Sequence, residues 1–311
     1  YGAGHPAPVF AFPAHRVVGN VYYVGSDALA TYLITTPEGH ILINSGFEET
    51  VPLIQSSVES LGFKMTDVKI ILESHAHSDH VAGHAKLQSV TGAKVFVMRG
   101  DHEVIASGGQ GQYLYVDSRW PPCKVDRVLD DGDEVKIGGT TLVAHSTPGH
   151  TRGCTTWAWQ ASEGDKEYAV VVIGSPNVNP GYRLVGNKDY PQIADDFAKT
   201  FAVLKKLPCD IFLGAHGEYY GLRAKHDRIK KDAANPFIDP KGYQAYVAEK
   251  EAAYRTRLTE QRTEQAQGIR AALQPFVERE ELAGAVFLVA NKNQILLHGA
   301  VGSADIASKQ E

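Results

Sequence analysis

Ser74-His75-Ala76-His77-Ser78-Asp79-His80 places three histidines and a carboxylate between positions 75 and 80. The run follows directly on Val68–Leu72, an apolar, β-branched stretch that reads as a buried strand. Imidazole is the commonest protein ligand for zinc, and carboxylate also serves. Four such groups on one tight loop cannot all face a single ion. Alternate residues of an extended turn face one way, so His75 and His77 can share a metal while Asp79 and His80 serve a neighbour.

Outward from this loop, strands and helices alternate. Val51–Leu61 has helical spacing and stops at Gly62; Val81–Thr91 reads as a helix closed by Gly92; Lys94–Met98 is the next strand. Upstream, Val17–Val24, Thr31–Thr36 and Ile41–Ile43 read as short strands. Downstream, Val135–Ile137, Thr141–His145, Thr155–Trp159 and Tyr168–Ile173 do the same, before a helix over Ile193–Lys206 and a strand over Ile211–Leu213. The pattern predicts an α/β fold, two sheets packed face to face with helices outside. A glycine-rich stretch, Gly100–Pro122, carries Tyr113, Tyr115 and Trp120, and is expected either to wall a cleft or to pack locally. Helices are expected over Gly242–Gln267 and, separately, Gly268–Glu281. Ala285–Ala290 and Gln294–Ala300 read as a hairpin turned by Asn291-Lys292-Asn293.

The bulk numbers narrow the function. The 311 residues are 43% hydrophobic and 22% charged, which excludes a mainly disordered chain. A net charge of −5 argues against a nucleic-acid partner. No run approaches the ~18 apolar residues of a membrane span. Three cysteines, Cys123, Cys154 and Cys209, without a Cys-x-x-Cys, exclude a cysteine-only zinc site. No basic start followed by an apolar core opens the sequence, so a cytosolic chain or a processed one is expected.

Of the 13 histidines, two more join the constellation. His150, in Thr147-Pro148-Gly149-His150-Thr151, and His216, in Gly214-Ala215-His216-Gly217, each follow a strand among glycines that can aim a side chain into a cleft. His84 follows His80 by one helical turn but would exceed the ligands a site needs, and His145 reads as a hydrogen-bonded strand residue. His5, His15, His40, His102, His226 and His298 have no such company.

His-x-His-x-Asp-His with Pro-Gly-His-Thr and a late Gly-x-His resembles the metallo-β-lactamase superfamily. Longer blocks, Ser74–Gly83, Val125–Gly132, Thr147–Trp157, Asn179–Asn187 and Leu207–His216, resemble its subclass B3 over about residues 10–265. The resemblance implies the family's αββα sandwich and two zinc ions, the first on His75, His77 and His150, the second on Asp79, His80 and His216. It implies Asp79 as the catalytic residue, orienting a zinc-bound hydroxide, with no protein nucleophile. Ser175 and Asn177 fall on the family's substrate-binding loop, although its usual serine pair is not reproduced. Asn44-Ser45-Gly46 stands where many relatives have an aspartate, a change expected to weaken support of a ligand. Relatives often pair a cysteine matching Cys209 with one beyond Pro236; none is present there, so Cys209 and Cys123 are expected free, and Cys154 a buried thiol.

Residues 1–267 are thus expected to form the metallo-β-lactamase domain and 268–311 something else. Leu282–Val286 and Ala300–Asp305 resemble the opening of class C serine β-lactamases and penicillin-binding proteins. That implies the start of a second hydrolase, without its Ser-x-x-Lys; the other reading is a helix–hairpin extension that docks on the first domain or on a second chain. The leading expectation is a zinc β-lactamase acting on a small-molecule β-lactam, periplasmic or secreted, with no membrane or nucleic-acid partner. A lactonase, thioesterase or phosphodiesterase of the same superfamily is the first alternative, and a non-catalytic binder of β-lactams or cell-wall fragments the second.

Overall fold

Val68–Leu72 is a strand with all but Lys69 buried, and it is the fifth strand of a seven-stranded sheet. The structure, a computed structural model, describes residues 9–290 and 295–304. The sheet runs in chain order: β1 His15–Val18, β2 Val21–Tyr23, β3 Tyr32–Ile34, β4 His40–Ile43, β5 Val68–Leu72, β6 Lys94–Met98 and β7 Arg127–Leu129. β1 to β4 pair antiparallel; β4 to β7 pair parallel. A second sheet has the order β12-β11-β10-β9-β8, with β8 Glu134–Ile137, β9 Thr140–Ser146, β10 Thr155–Glu163, β11 Lys166–Ile173 and β12 Ile211–Gly214.

The two sheets face each other across a buried seam. Trp157 of β10, fully buried, donates its indole N–H to the Glu73 carbonyl at 2.7 Å. Tyr32 of β3 donates to the Gly214 carbonyl of β12 at 2.8 Å. Helices α1 Val51–Ser60 and α3 His84–Thr91 cover the larger sheet. Val51, Ile54, Val58 and Leu87 recur at helical spacing and pack with Leu33, Leu42, Ile71 and Val95. Each such side chain contributes roughly 1.5–3 kcal/mol on burial. The remaining helices are α2 Ser78–Val81, α4 His102–Ala106, α5 Ile193–Leu204, α6 Leu222–His226 and α7 Pro240–Glu278. The expected sandwich is therefore present.

Three elements are divided or joined differently from expectation, and Thr155–Trp159 extends to Glu163. Val17–Val24 is two strands, not one: Val18 pairs with Val21 across Gly19-Asn20, and Gly19 takes the positive φ (+49°) that a two-residue turn needs. The helix expected over Val81–Thr91 is broken at Ala82-Gly83 into α2 and α3. A Cβ on Gly83 would lie 2.8 Å from Val51 and 2.9 Å from the Ser45 carbonyl, so only glycine lets this corner close on the 45–47 turn. The two helices expected on either side of Gly268 are one, α7, which runs through Gly268 and Pro275. A single glycine costs only about 1 kcal/mol relative to alanine, and the Ala, Gln, Glu and Arg around it favour continuation.

The chain divides into two compact units: Tyr1–Gly181 with Asp195–Glu251, and Tyr182–Ala194 with Ala252–Glu311. The first contains both sheets. In the second, Gln261 of α7 holds the Tyr182–Ala194 segment, accepting from Leu184 N at 2.6 Å and donating to the Tyr182 carbonyl at 2.7 Å. Strands β13 Gly284–Ala290 and β14 Ile295–Gly302 pair antiparallel, burying Leu297 and Val301. The Asn291-Lys292-Asn293 turn signal, His5 and Asp305 lie outside the described residues.

Candidate metal centre

The chain leaves β5 extended, which puts His75 and His77 on the same side; it then enters α2, whose first turn carries Asp79 and His80. His77 is the N-cap of α2, with extended backbone at φ −107° and ψ 152°. His150 sits in the β9–β10 connection. There Gly149 adopts φ +124°, and a Cβ on it would lie 2.7 Å from the Phe197 ring of α5, so the turn closes on that helix only with glycine. His216 lies two residues past β12 and caps a short 3₁₀ turn, Gly217–Tyr220.

Among the described residues, these side chains converge in two adjacent donor sets. His75, His77 and His150 offer ligand atoms within 4.8 Å of one another, and so do His75, Asp79 and His80. Their ring centroids lie 4.9 Å (His75–His77), 4.6 Å (His75–His150) and 4.7 Å (His77–His150) apart. His216 completes the second set: its Nε2 is 3.1 Å from His80 Nε2 and 3.7 Å from Asp79 Oδ2, and His80 Nε2 is 3.2 Å from that same oxygen.

Burial disfavours charge on His75, His77, His150 and His216, and neighbouring imidazoles add to the effect. The His77 and His216 pKa values fall to about 4, and those of His75 and His150 fall well below the usual histidine range. Neutral imidazole is the form that binds metal. For Asp79, burial opposes ionisation, but His80 and then His216 outweigh it and hold the carboxyl well below the usual range. Neutral, buried nitrogen donors with one carboxylate suit zinc. His84 and His145 stand outside both sets: His84 bonds Ser45 Oγ at 2.7 Å, and His145 is half-buried on β9.

The layer behind the donors fixes their orientation. His150 Nδ1 donates to the Asn177 carbonyl at 2.7 Å, which leaves Nε2 as the acceptor-side nitrogen. Asn44, held at φ +67°, accepts from Ser74 N at 2.8 Å. Ser45, within the Asn44-Ser45-Gly46 stretch where many relatives have an aspartate, donates to the His80 carbonyl at 3.1 Å. Ser175 is buried, its hydroxyl 3.2 Å from Tyr219 OH; Asn177 Nδ2 donates to the same oxygen at 2.9 Å. Tyr115 sets its ring edge-on to His77, with centroids 4.9 Å apart, whereas Trp120 is in the core. All three cysteines are free; Cys123 and Cys154 are buried and Cys209 half-buried.

Two residues of this layer escape a linear reading. Asp101, fully buried, accepts from Ala76 N (2.8 Å), Thr151 Oγ1 (2.6 Å) and Gly153 N (2.8 Å), pinning the His75–His80 loop to the His150 loop. Its position just past a parallel strand, where α/β sheets bind ligands, is the available signal. Tyr219 lies three residues after His216 and tilts against its ring at 5.1 Å; proximity in sequence is the only hint.

Two packed sheets with a histidine–aspartate cluster at their common rim define a metallo-hydrolase scaffold. The profile described as the metallo-beta-lactamase superfamily matches residues 27–160. The FEZ-1 metallo-β-lactamase of Legionella gormanii superposes with a TM-score of 0.81 at 47% identity, over 82% of this chain and 98% of that one. BJP-1, a subclass B3 metallo-β-lactamase of Bradyrhizobium japonicum, gives 0.77 at 37% identity, over 81% and 96%. A hydroxyacylglutathione hydrolase of Rhodopseudomonas palustris is 31% identical over 62% of this chain, and the human mitochondrial persulfide dioxygenase 28% identical over 41%. The chain spans 64% and 42% of these two curated relatives. The chain belongs to the metallo-β-lactamase family, as a hydrolase whose structural relatives are of subclass B3.

Proposed function

We propose that this protein is a dizinc β-lactamase that hydrolyses the lactam amide of penicillins, cephalosporins or carbapenems, exported to where those compounds act. One observation carries the reading: six donors converge in two adjacent sets on a chain 47% identical to FEZ-1 along nearly all of that enzyme. In this reading His75, His77 and His150 hold one zinc, and Asp79, His80 and His216 the other. Zinc, when bound, lowers the pKa of a coordinated water and polarises a carbonyl.

The chain's own residues do the rest. Ionised Asp79 accepts a hydrogen bond from the attacking water and aims it. His75, His77, His150 and His216, whose pKa values are lowered, keep ring lone pairs for the metal. Asn177 holds His150 through its carbonyl and gives one amide N–H to Tyr219, leaving the other for a substrate carboxylate; Ser175 braces that loop through Tyr219. A thioesterase is the second reading, favoured by the likeness to the hydroxyacylglutathione hydrolase.

The test is hydrolysis of a chromogenic cephalosporin and of a carbapenem, before and after chelation, with zinc added back. Turnover lost with chelator and restored by zinc is the expected result. No turnover from a folded, zinc-loaded sample overturns the reading and directs the assay to thioesters.

A further inference from the structure

The glycine-rich stretch is not a loose connection. Gly109 N donates to the Val104 carbonyl at 2.8 Å, and Trp120 N to the Gly108 carbonyl at 3.1 Å, so its two ends are tied together. Gln112 Nε2 reaches the Gly109 carbonyl at 3.1 Å, and Arg119 donates to the Val116 and Ser118 carbonyls at 2.7 and 2.8 Å. The base is thereby fixed, and Tyr113 to Tyr115 project from it. They line, with His77 and Arg152, a small recess open to solvent.

From the other side comes the segment after β11, whose Asn177 carbonyl holds His150. Two residues on, Asn179 Nδ2 donates to Tyr115 OH at 3.0 Å. A Cβ on Gly181 would stand 3.3 Å from Leu114, so the two segments run close together there. Tyr115 thus has two contacts: its ring lies edge-on to His77, and its hydroxyl bonds a residue of the His150-supporting segment.

We propose that Tyr115 and Asn179 form a clasp beside His77 and that this clasp limits the size of the substituent the recess admits, making Tyr115 a specificity-determining residue. The inference rests on the β-lactamase reading for its substrates but not for its geometry. While the hydrogen bond holds, the two segments cannot separate, and a bulky acyl side chain must break it to enter. A compact side chain need not.

The experiment compares two cephalosporins of identical ring system, one with a compact and one with a bulky aromatic acyl side chain, on the zinc-loaded protein and on Tyr115→Phe, Asn179→Ala and the double variant. Tyr115→Phe keeps the ring and removes only the hydroxyl. Loss of one such hydrogen bond is expected to raise the bulky-to-compact ratio of kcat/KM about fivefold in each single variant. The double variant should gain no more than either single, because both remove the same bond. Ratios that stay within about twofold of wild type, or single effects that multiply in the double, overturn the clasp. Backbone hydrogen exchange gives a readout free of catalysis: Tyr115→Phe should speed exchange in both 109–119 and 177–181. Exchange unchanged in either segment overturns the clasp even where lactams are not turned over, whereas faster exchange without lactam turnover overturns only the β-lactamase reading.

Discussion

The His75–His80 loop and the β13–β14 hairpin invert each other. The first is polar and buried: His75, His77 and His80 are all removed from solvent, and the groups behind them are hydrogen-bonded. The second is apolar and exposed on one face: Val286, Leu288 and Ile295 keep 84%, 57% and 57% of their surface accessible. Burying polar groups costs free energy unless each finds a partner, so a chain that buries four donor imidazoles in one place holds them there for chemistry. Exposed aliphatic side chains on a short hairpin carry no comparable structure around them. The contrast teaches that the buried polar side, not the exposed apolar one, is where a single substitution has the largest consequences.

The strongest challenge to that contrast is His77→Ala. It removes one of three nitrogens from the first donor set and should cost on the order of a thousandfold in kcat/KM, with metal content by atomic emission falling in parallel. Activity retained with a full metal complement would show that the set is not the one that matters.

Asp101→Ala sharpens the comparison without touching a donor. It strands the Ala76 and Gly153 N–H groups and the Thr151 hydroxyl in the interior. The expected loss is about 3 kcal/mol of unfolding free energy in urea, with metal affinity weakened roughly 10–100-fold. A variant as stable and as tightly metallated as wild type would mean that the two loops hold themselves.

Leu288→Lys should do least. Placing a charge on the exposed face of the hairpin is expected to change unfolding free energy by no more than about 0.5 kcal/mol and to leave metal content intact. A larger loss would reveal that this face is covered.

Local signals were legible in the sequence and distant ones were not. Val68–Leu72 and Lys94–Met98 are strands with the expected ends, because their β-branched runs are bounded by polar or glycine residues. Four donors were readable because they share one loop. His150 and His216 were readable only through the company of that loop and the family's spacing, since a lone histidine among glycines has no distinctive physics. Asp101, Tyr219 and Asn179 were barely readable: each bonds a partner 25 or more residues away, and the only hints are the place of Asp101 past a parallel strand and of Tyr219 beside His216. The α7 boundary failed for the opposite reason: Gly268 was given the weight of a stop although its neighbours all favour helix.

Each donor set draws on both sheets. His75 and His77 leave β5 of the larger sheet while His150 leaves β9 of the smaller, and Asp79 and His80 meet His216 from the end of β12 in the same way. An ion bound by either set therefore acts as a cross-link, closing a chain loop from position 77 to 150 or from 80 to 216. Like a disulfide over a long loop, such a tie acts on the unfolded chain as well as the folded one. The centre that would run the chemistry would thus also add a tie between the two halves of the sandwich, so metal binding would raise the stability of the fold.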